Sequence, residues 1–302
     1  MDTGRERVRA VFQGKAVSPP CCGEVWLGGE LFSADQLEDN LVGHFQRCRE
    51  LGMDIVSLPV NESLPSSEST LYRYFLPEDI FQIAANFSFA VTVIIDGPFQ
   101  RLANEMGLLS LLTLVKRDAV TITRRLSTEA NTVKGLIDAC ARAEVAAVVL
   151  ADDIAYGQST YLSRDDIRQF LLPHYAQFNL RVHRGDRYTL FHSDGNLTNL
   201  IPDLVTIGFD GLAGVQGECV DLVSLKRQWG QQLTIWGGLD HEILDTETLT
   251  PAQRDRFLTV VSSLAHGGKF ILGSSSGLYS GKHLESIKSI YKLVRGALVL
   301  EP

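Results

Sequence analysis

The sequence predicts an α/β fold that consists of a single (β/α)8 barrel, the TIM-barrel architecture. Eight short apolar runs alternate with longer amphipathic segments over the 302 residues. Most of these runs are apolar at nearly every position, which is typical of parallel strands covered on both faces. No repeat or Pro/Gly/Ser-rich linker divides the chain, so we expect one domain over residues 1–302. The alternative is a doubly wound open sheet, because periodicity does not show whether a sheet closes.

The predicted strands are short and rich in β-branched and aromatic residues. They cover residues 20–26, 54–59, 90–96, 146–152, 188–192, 211–216, 233–238 and 269–273.

The segments between the strands carry helix start and stop signals. Ser33 is predicted to begin a helix that reaches Leu51, with Gly52 as its stop. Ser163, with Asp166 three residues later, resembles a capping box at the start of a helix over 163–181. Further helical segments are predicted over 99–143 (partly broken), 196–208, 218–229, 251–266 and 283–298.

Composition excludes several classes of partner and location. The chain has 28 Lys and Arg against 36 Asp and Glu, and its net charge of −8 disfavours binding to nucleic acid or to an anionic membrane. Its apolar runs are shorter than the roughly 18 residues that a membrane span needs. Five cysteines without a CxxC pair, and a charged amino terminus unlike a secretory signal, indicate a reduced, cytoplasmic protein.

Polar and aromatic residues follow nearly every predicted strand. The active sites of such barrels lie at the carboxyl ends of the strands, so this ring predicts an enzyme rather than a passive binding module. The candidates are Glu24 and Trp26 after strand one, Asp96 and Phe99 after strand three, Asp152 and Asp153 after strand four, His192 and Asp194 after strand five, Gln216 after strand six, Asp240 after strand seven, and Ser274 and Ser276 after strand eight.

His192 and Asp194 are the most informative pair in this ring. Residues two apart on an extended strand point the same way, so the imidazole and the carboxylate could bind a metal together or act as an acid/base couple. We expect both at a solvent-accessible strand exit. The alternative is that Asp194 starts a turn and His192 only lines the core.

Asp152 and Asp153 are adjacent, so one should point into the barrel mouth and the other toward the helices. Together with Asp96, His192 and Asp194, the inward one is expected to surround a single mouth. Neighbouring carboxylates can raise the pKa of one of them and so create a general acid, although a simple strand-end turn is the alternative.

Two glycine-rich segments follow strands seven and eight, at 237–238 and 273–277. In many barrels these loops bind phosphate through backbone amides. The alternative is that glycine is needed where the backbone is crowded.

Several segments together resemble the uroporphyrinogen decarboxylase (URO-D) superfamily, in particular its corrinoid-dependent methyltransferase branch. They are FHSDGNLTNLIPDL at 191–204, IDGPF at 95–99, DDI at 152–154 with FLLP at 170–173, WGGLD at 236–240, RERV at 5–8, GL at 277–278 and LESIK at 284–288. The resemblance covers nearly the whole chain and implies a single (β/α)8 barrel.

The resemblance implies two reactions, and the sequence departs from the family pattern for both. The decarboxylases grip the acidic groups of uroporphyrinogen III with an amino-terminal Arg-rich motif, whereas the stretch CCGEVWLGGE at 21–30 has no arginine and offers Glu24 and Glu30. The methyltransferases hold zinc with a His-x-Cys pair and a later Cys. The matching positions here are His192, Asp194 and Ser276, so both thiolates are replaced and zinc would be held weakly by His192 and Asp194, or not at all.

The favoured function is therefore a related methyl transfer. The enzyme would move a methyl group between a small methylated substrate and a corrinoid (cobalamin), carried by a partner corrinoid protein. A carboxylic acid of the ring would protonate the leaving oxygen or nitrogen. The alternatives are tetrapyrrole decarboxylation, a phosphate-binding barrel enzyme, and a barrel that binds a ligand without turnover.

Overall fold

All eight predicted strands are present in the computed structural model, which describes residues 3–33, 36–64, 71–83, 88–246 and 248–298. The strands are β1 (Cys21–Cys22), β2 (Ile55–Pro59), β3 (Ala90–Asp96), β4 (Ala147–Ala151), β5 (Tyr188–His192), β6 (Gly211–Val215), β7 (Thr234–Leu239) and β8 (Phe270–Ser274).

The strands form one parallel sheet in the order β1-β8-β7-β6-β5-β4-β3-β2. The two ends of this order meet, because the Asp54 N–H donates to the Cys22 carbonyl across 2.8 Å. The sheet is therefore a nearly closed barrel, which confirms the predicted (β/α)8 class over the open alternative. Strand β1 is much shorter than the predicted run over 20–26.

Helices fill the connections. They are α1 (Gly4–Phe12), α2 (Glu30–Ser33), α3 (Leu41–Leu51), α4 (Pro77–Ile83), α5 (Pro98–Met106), α6 (Leu108–Arg117), α7 (Ala119–Cys140), α8 (Arg164–Phe170), α9 (Leu172–His183), α10 (Ile201–Thr206), α11 (Leu222–Trp229), α12 (His241–Leu244), α13 (Pro251–Ala265) and α14 (Leu284–Ala297), with a 3-10 turn at Gly281–His283.

Two predicted helices have different boundaries. The helix predicted over 33–51 is wrong at its start: α2 ends at Ser33, and α3 begins after Asn40, whose side chain accepts the Gly43 N–H. Ser163 does cap α8, but that helix ends at Phe170 and α9 begins at Leu172. Pro173 explains the break, because proline has no N–H to continue the helical ladder and its ring crowds the preceding turn.

The core has two layers, and alternate residues of each strand enter different layers. On β4, Ala147, Val149 and Ala151 pack inside the barrel, whereas Val148 and Leu150 pack against the helices. The same alternation decides which residues at the strand ends face the barrel mouth. In the part of the chain that the structure describes, no helix is long and apolar enough to cross a membrane.

Candidate active site

His192, the last residue of β5, lies at the centre of the carboxyl-terminal mouth of the barrel. Its Nδ1 is 2.8 Å from the Ala213 carbonyl oxygen, which can only accept, so Nδ1 carries the hydrogen. Its Nε2 is 3.7 Å from Oδ1 of Asp153 and 4.0 Å from Oδ1 of Asp194. One imidazole nitrogen thus faces two carboxylates.

The expectation that both His192 and Asp194 are solvent-accessible is wrong for His192. The His192 side chain is 5% exposed, whereas the Asp194 side chain is 49% exposed. The Trp26 ring covers the imidazole edge to face, with ring centroids 4.4 Å apart and an interplanar angle of 70°. Trp26 therefore packs directly against the histidine of the site.

Asp194 and Asp153 are held together by the backbone. The Asp194 N–H donates to Asp153 Oδ1 at 3.1 Å. The Oδ1 atom of Asp194 is buried and has no hydrogen-bond partner among the described residues. Burial raises the pKa of Asp194, and the facing charge of His192 opposes that rise. Asp194 is therefore the mouth carboxyl best placed to exchange a proton with a bound molecule.

Asp96, the last residue of β3, belongs to the same mouth. It accepts a hydrogen bond of 2.6 Å from the Tyr74 hydroxyl. Burial raises its pKa, and the charge of Asp153 adds to that rise. We call Asp96, Asp153 and Asp194 the mouth carboxylates.

Three tyrosines complete the mouth, and the sequence reasoning missed all of them. Tyr72 lies beside Tyr74, and burial together with the charges of Asp96 and Asp153 raises the pKa of Tyr72 to about 12. Burial, Tyr72 and two mouth carboxylates raise the pKa of Tyr279 as well. Tyr72 and Tyr74 follow β2, the one strand after which the sequence suggested no site residue. The available signal was two tyrosines with a single residue between them, which would face the same way on an extended segment.

Asp152 does not face the mouth. It is fully buried against the helices, where it accepts hydrogen bonds from the N–H of Phe99 (3.3 Å), the N–H of Gln100 (2.5 Å) and the Tyr175 hydroxyl (2.6 Å). It thus caps the first turn of α5, whose own N-cap, Gly97, has no side chain. Asp153 is the inward member of the pair, in phase with Ala151, whereas the hydrogen bonds of Asp152 stabilise the start of α5.

Glu24 and Ser274 also face the helix layer. Glu24 is 1% exposed and accepts hydrogen bonds from the N–H and hydroxyl of Ser274 and from the Tyr291 hydroxyl on α14. Burial raises the pKa of Glu24 to about 7, against the opposing effect of these hydrogen bonds. Phe99 is 1% exposed in the layer between barrel and helices. None of these three contacts His192.

Gln216 and Ser276 link the loops around the site. The Gly195 N–H donates to Gln216 Oε1 at 2.8 Å, and Gln216 Nε2 donates to Ser276 Oγ at 3.3 Å. Asp240 accepts from the Gly217 N–H at 3.3 Å and lies against the loop after β6. Gln216 and Ser276 therefore support the Asp194 loop, while Asp240 belongs to the rim.

The donor set at the mouth does not fit the zinc site that the resemblance implies. Both thiolate positions hold oxygen side chains, and Ser276 is already bonded to Gln216. No group of three His, Cys, Asp or Glu side chains in the described ranges is arranged to hold a metal ion. The buried thiols of Cys21, Cys22 and Cys48 have pKa values raised by burial, so they favour the protonated form that binds metal poorly.

The loop after β8 offers little to a phosphate. The N–H of Ser274 donates to Glu24, and the N–H of Ser275 donates to the Leu239 carbonyl at 3.2 Å. Two of the amides that a phosphate would need are therefore occupied, and one of them by a carboxyl group.

Comparisons with known proteins agree with this architecture. A family model described as uroporphyrinogen decarboxylase (URO-D) matches residues 79–297. A methyltransferase from Methanosarcina mazei superposes with a TM-score of 0.77 at 16% identity, over 98% of this chain and 99% of that chain.

More distant barrels share the fold alone. A sugar phosphate isomerase/epimerase from Parabacteroides distasonis gives a TM-score of 0.55 at 11% identity, covering 94% of this chain and 97% of its own. A vitamin-B12 independent methionine synthase from Listeria monocytogenes gives 0.52 at 13% identity and covers 83% of both chains. No curated protein matches the sequence.

Proposed function

The chain belongs to the uroporphyrinogen decarboxylase (URO-D) family, and from that premise we propose that it is a methyltransferase that demethylates a small methoxy or methylamine compound. The observation that carries the proposal is the convergence of Asp153 and Asp194 on Nε2 of His192, at 3.7 and 4.0 Å. The likeness of the fold to a methyltransferase from Methanosarcina mazei supports the reaction class.

The chemistry needs a group that controls the proton on the leaving atom. When the bond between the methyl carbon and the oxygen or nitrogen breaks, its electron pair stays on that heteroatom. Asp194 has a buried, unpartnered oxygen and a pKa raised by burial, so it suits this role. As an acid it would give a proton to a leaving oxygen, and as a carboxylate it would hold the proton of an ammonium.

His192 and Asp153 position that group. The hydrogen bond between Nδ1 and Ala213 fixes the ring, so that Nε2 remains directed at both carboxylates. Asp153 accepts the Asp194 N–H and keeps the loop after β5 against the mouth. We therefore assign His192 and Asp153 as positioning groups that also tune the charge on Asp194.

A reduced corrinoid on a partner protein would supply the nucleophile that accepts the methyl group. Zinc has no part in the proposed reaction, because the side chains of His192, Asp194 and Ser276 do not fit that metal. The corrinoid partner is part of this proposal and rests on the family's methyltransferase branch.

Decarboxylation of uroporphyrinogen is the less favoured reaction. Its substrate is poly-anionic, and the mouth presents Asp96, Asp153 and Asp194 at the place where the substrate would enter. Bringing several carboxylates together in a partly buried site is unfavourable unless cations separate them. Glu24, a carboxyl of the amino-terminal stretch at 21–30, is buried between the barrel and the helices, so it does not contribute to this repulsion.

A label-transfer assay tests the proposal. The purified protein is mixed with chemically reduced cobalamin and with methoxy or methylamine donors that carry trideuterated methyl groups, and methylcobalamin is analysed by mass spectrometry. We expect the label on cobalamin with at least one donor class, and none with the double variant Asp153→Asn, Asp194→Asn. Release of CO₂ from uroporphyrinogen III, with no label transferred from any donor, would contradict the proposal.

A further inference from the structure

One side of the mouth is an aromatic surface. Trp26, Tyr74 and Tyr279 surround Tyr72, with ring-centroid distances to Tyr72 of 6.0, 5.4 and 6.5 Å. We call these four residues the aromatic wall. The face of such a ring offers electron-rich surface to a cation, and several rings together bind a methylated ammonium better than one does.

The aromatic wall lies next to the mouth carboxylates. The charges of Asp96 and Asp153 raise the pKa of Tyr72, and those of Asp194 and Asp153 raise the pKa of Tyr279, with burial as the largest cause in both. Tyr74 donates directly to Asp96. A molecule bound between these groups would therefore contact rings on one side and carboxylates on the other.

The cations near the mouth do not neutralise these carboxylates. Arg101 lowers the pKa of Asp96, but its guanidinium is already paired with Glu62 at 2.5 Å and Glu129 at 2.8 Å. The two histidines that face Asp194 are His192 and His241. When the three mouth carboxylates are ionised they outnumber these two imidazoles, so the mouth then carries an excess of negative charge.

Two polar atoms of the mouth lack partners. Trp26 is 5% exposed, and its Nε1 donor makes no hydrogen bond of normal geometry with a described residue, although it lies close enough to the Tyr72 hydroxyl to oppose the rise in that group's pKa. The Oδ1 acceptor of Asp194 is likewise buried and unpartnered. Leaving buried polar atoms unpaired is costly, so this donor and this acceptor indicate a ligand that carries both a positive group and an oxygen.

We propose that the mouth binds a methylated ammonium compound that also carries an oxygen acceptor, with its ammonium group between the aromatic wall and Asp153 and Asp194 and its oxygen toward Trp26 Nε1. This inference rests on the proposed function only for the reaction, and among the donors considered there it favours the amines over the neutral methoxy compounds.

In the transfer, the bond between nitrogen and the methyl carbon breaks and the amine leaves with that electron pair. The reduced corrinoid would provide the electron pair for the new bond to the methyl carbon. A quaternary donor leaves as a neutral amine, so no proton has to be supplied.

Binding of choline, compared with binding of 3,3-dimethylbutan-1-ol, tests the proposal by isothermal titration calorimetry of the intact protein. The two probes have the same shape and the same hydroxyl, and they differ in that nitrogen is replaced by carbon and the charge is lost. We expect choline to bind at least tenfold more tightly. Equal affinities, or binding of the neutral alcohol alone, would overturn the proposal.

Matched variants locate the site. Asp194→Asn and Tyr72→Leu should each weaken choline binding about tenfold or more, and Tyr72→Phe, which keeps the ring, should weaken it less than Tyr72→Leu does. Glu285→Gln and Tyr161→Leu replace an exposed carboxylate and an exposed ring outside the mouth, and they should not change the affinity. Unfolding midpoints confirm that each variant is folded, and equal affinities across all folded variants would overturn the assignment.

The outcomes for binding and for reaction can be told apart. Choline-specific binding without methyl transfer from any donor would support the ammonium site and contradict the proposed methyltransferase. Label transfer from a neutral methoxy donor, with no choline-specific binding, would support the methyltransferase and overturn the ammonium site.

Discussion

Gly214 lies directly against the imidazole of His192. A β-carbon at position 214 would lie 2.7 Å from Nδ1 and 2.9 Å from Cε1 of that ring. The backbone φ of Gly214 is +66°, at a point where the pairing of β6 with β7 is irregular. The irregular strand and the orientation of the histidine are therefore coupled, because a residue with a side chain would be strained here and would also displace the ring.

Gly214→Ala should reduce methyl transfer at least tenfold, since a displaced imidazole loses its hydrogen bond to Ala213. The added methyl group and the positive φ should together lower the free energy of unfolding by about 1–3 kcal/mol. Gly135→Ala is the matched control, because Gly135 lies within α7 with no atom near its missing β-carbon. Chemical denaturation and the label-transfer assay measure both effects, and equal behaviour of the two variants would contradict the coupling.

His192→Ala and Asp194→Asn should separate folding from chemistry. Truncating the buried His192 removes the contact with Trp26 and the hydrogen bond to the Ala213 carbonyl and leaves a cavity, which should cost about 2–4 kcal/mol in the free energy of unfolding. Asp194→Asn keeps the shape of a half-exposed side chain, so its cost should stay within about 1 kcal/mol. Urea titrations of both variants check this order, and a His192→Ala protein as stable as its parent would show that the imidazole is not packed as described.

Stability should fall as the pH rises through the titration of two buried carboxyls. Burial raises the pKa of Glu24 and that of Asp152 to about 7, from ordinary values near 4. A carboxyl whose pKa is raised by folding contributes stability that is complete below the unfolded pKa and is lost as pH rises through the folded pKa. For Glu24 the loss between about pH 4.5 and 7 should be about 3 kcal/mol.

Glu24→Gln tests this dependence because an amide does not titrate. Between pH 4.5 and 7, the unfolding free energy of this variant should fall about half as much as that of the parent. That of the double variant with Asp152→Asn should fall only slightly. Glu285→Gln, on the exposed face of α14, should keep the parent's pH dependence. A Glu24→Gln protein whose stability declines as steeply as the parent's would show that Glu24 is ionised in the folded state throughout this range.

Restoring the two thiols should create a zinc site. The double variant Asp194→Cys, Ser276→Cys supplies the thiolates that the resemblance implies beside His192, and Gln216 already links the loops that hold both positions. Zinc affinity, measured by competition with a chromogenic chelator, should rise at least a hundredfold over the parent. A control pair, Asp194→Cys with Ser263→Cys on α13, should bind no better than the single variant. Equal affinity of the two pairs would mean that position 276 does not converge with His192.

The barrel could be predicted from the sequence because its strands are continuous apolar runs separated by capped helices. The face that each strand-end residue occupies could not, since a strand that is apolar on both sides gives no sign of which side is inward. Asp152 and Asp153 show this: only the packing of Ala151 inside the barrel identifies Asp153 as the inward carboxylate. That residues 1–302 form one domain, and that the protein is cytoplasmic, stay predictions.

The burial of His192 could not be predicted for a different reason. It depends on Trp26, which is far from His192 in the sequence, and on Tyr72 beside Trp26. Such contacts follow from closure of the barrel and not from local pattern. Tyr72 and Tyr74 were missed because the described residues between β2 and α4 belong to no strand or helix of the barrel, so no periodicity directs attention to them.

The rate of methyl transfer in the Asp194→Asn variant, relative to the parent, tests the central claim most directly. The donor is the labelled compound that the parent uses best, and Glu218→Gln, which replaces an exposed carboxylate on the rim, is measured alongside. If the mouth around His192 carries the chemistry, Asp194→Asn should transfer methyl groups about a hundredfold more slowly while Glu218→Gln stays within twofold of the parent. A folded Asp194→Asn protein that transfers methyl groups at the parent's rate would contradict the account.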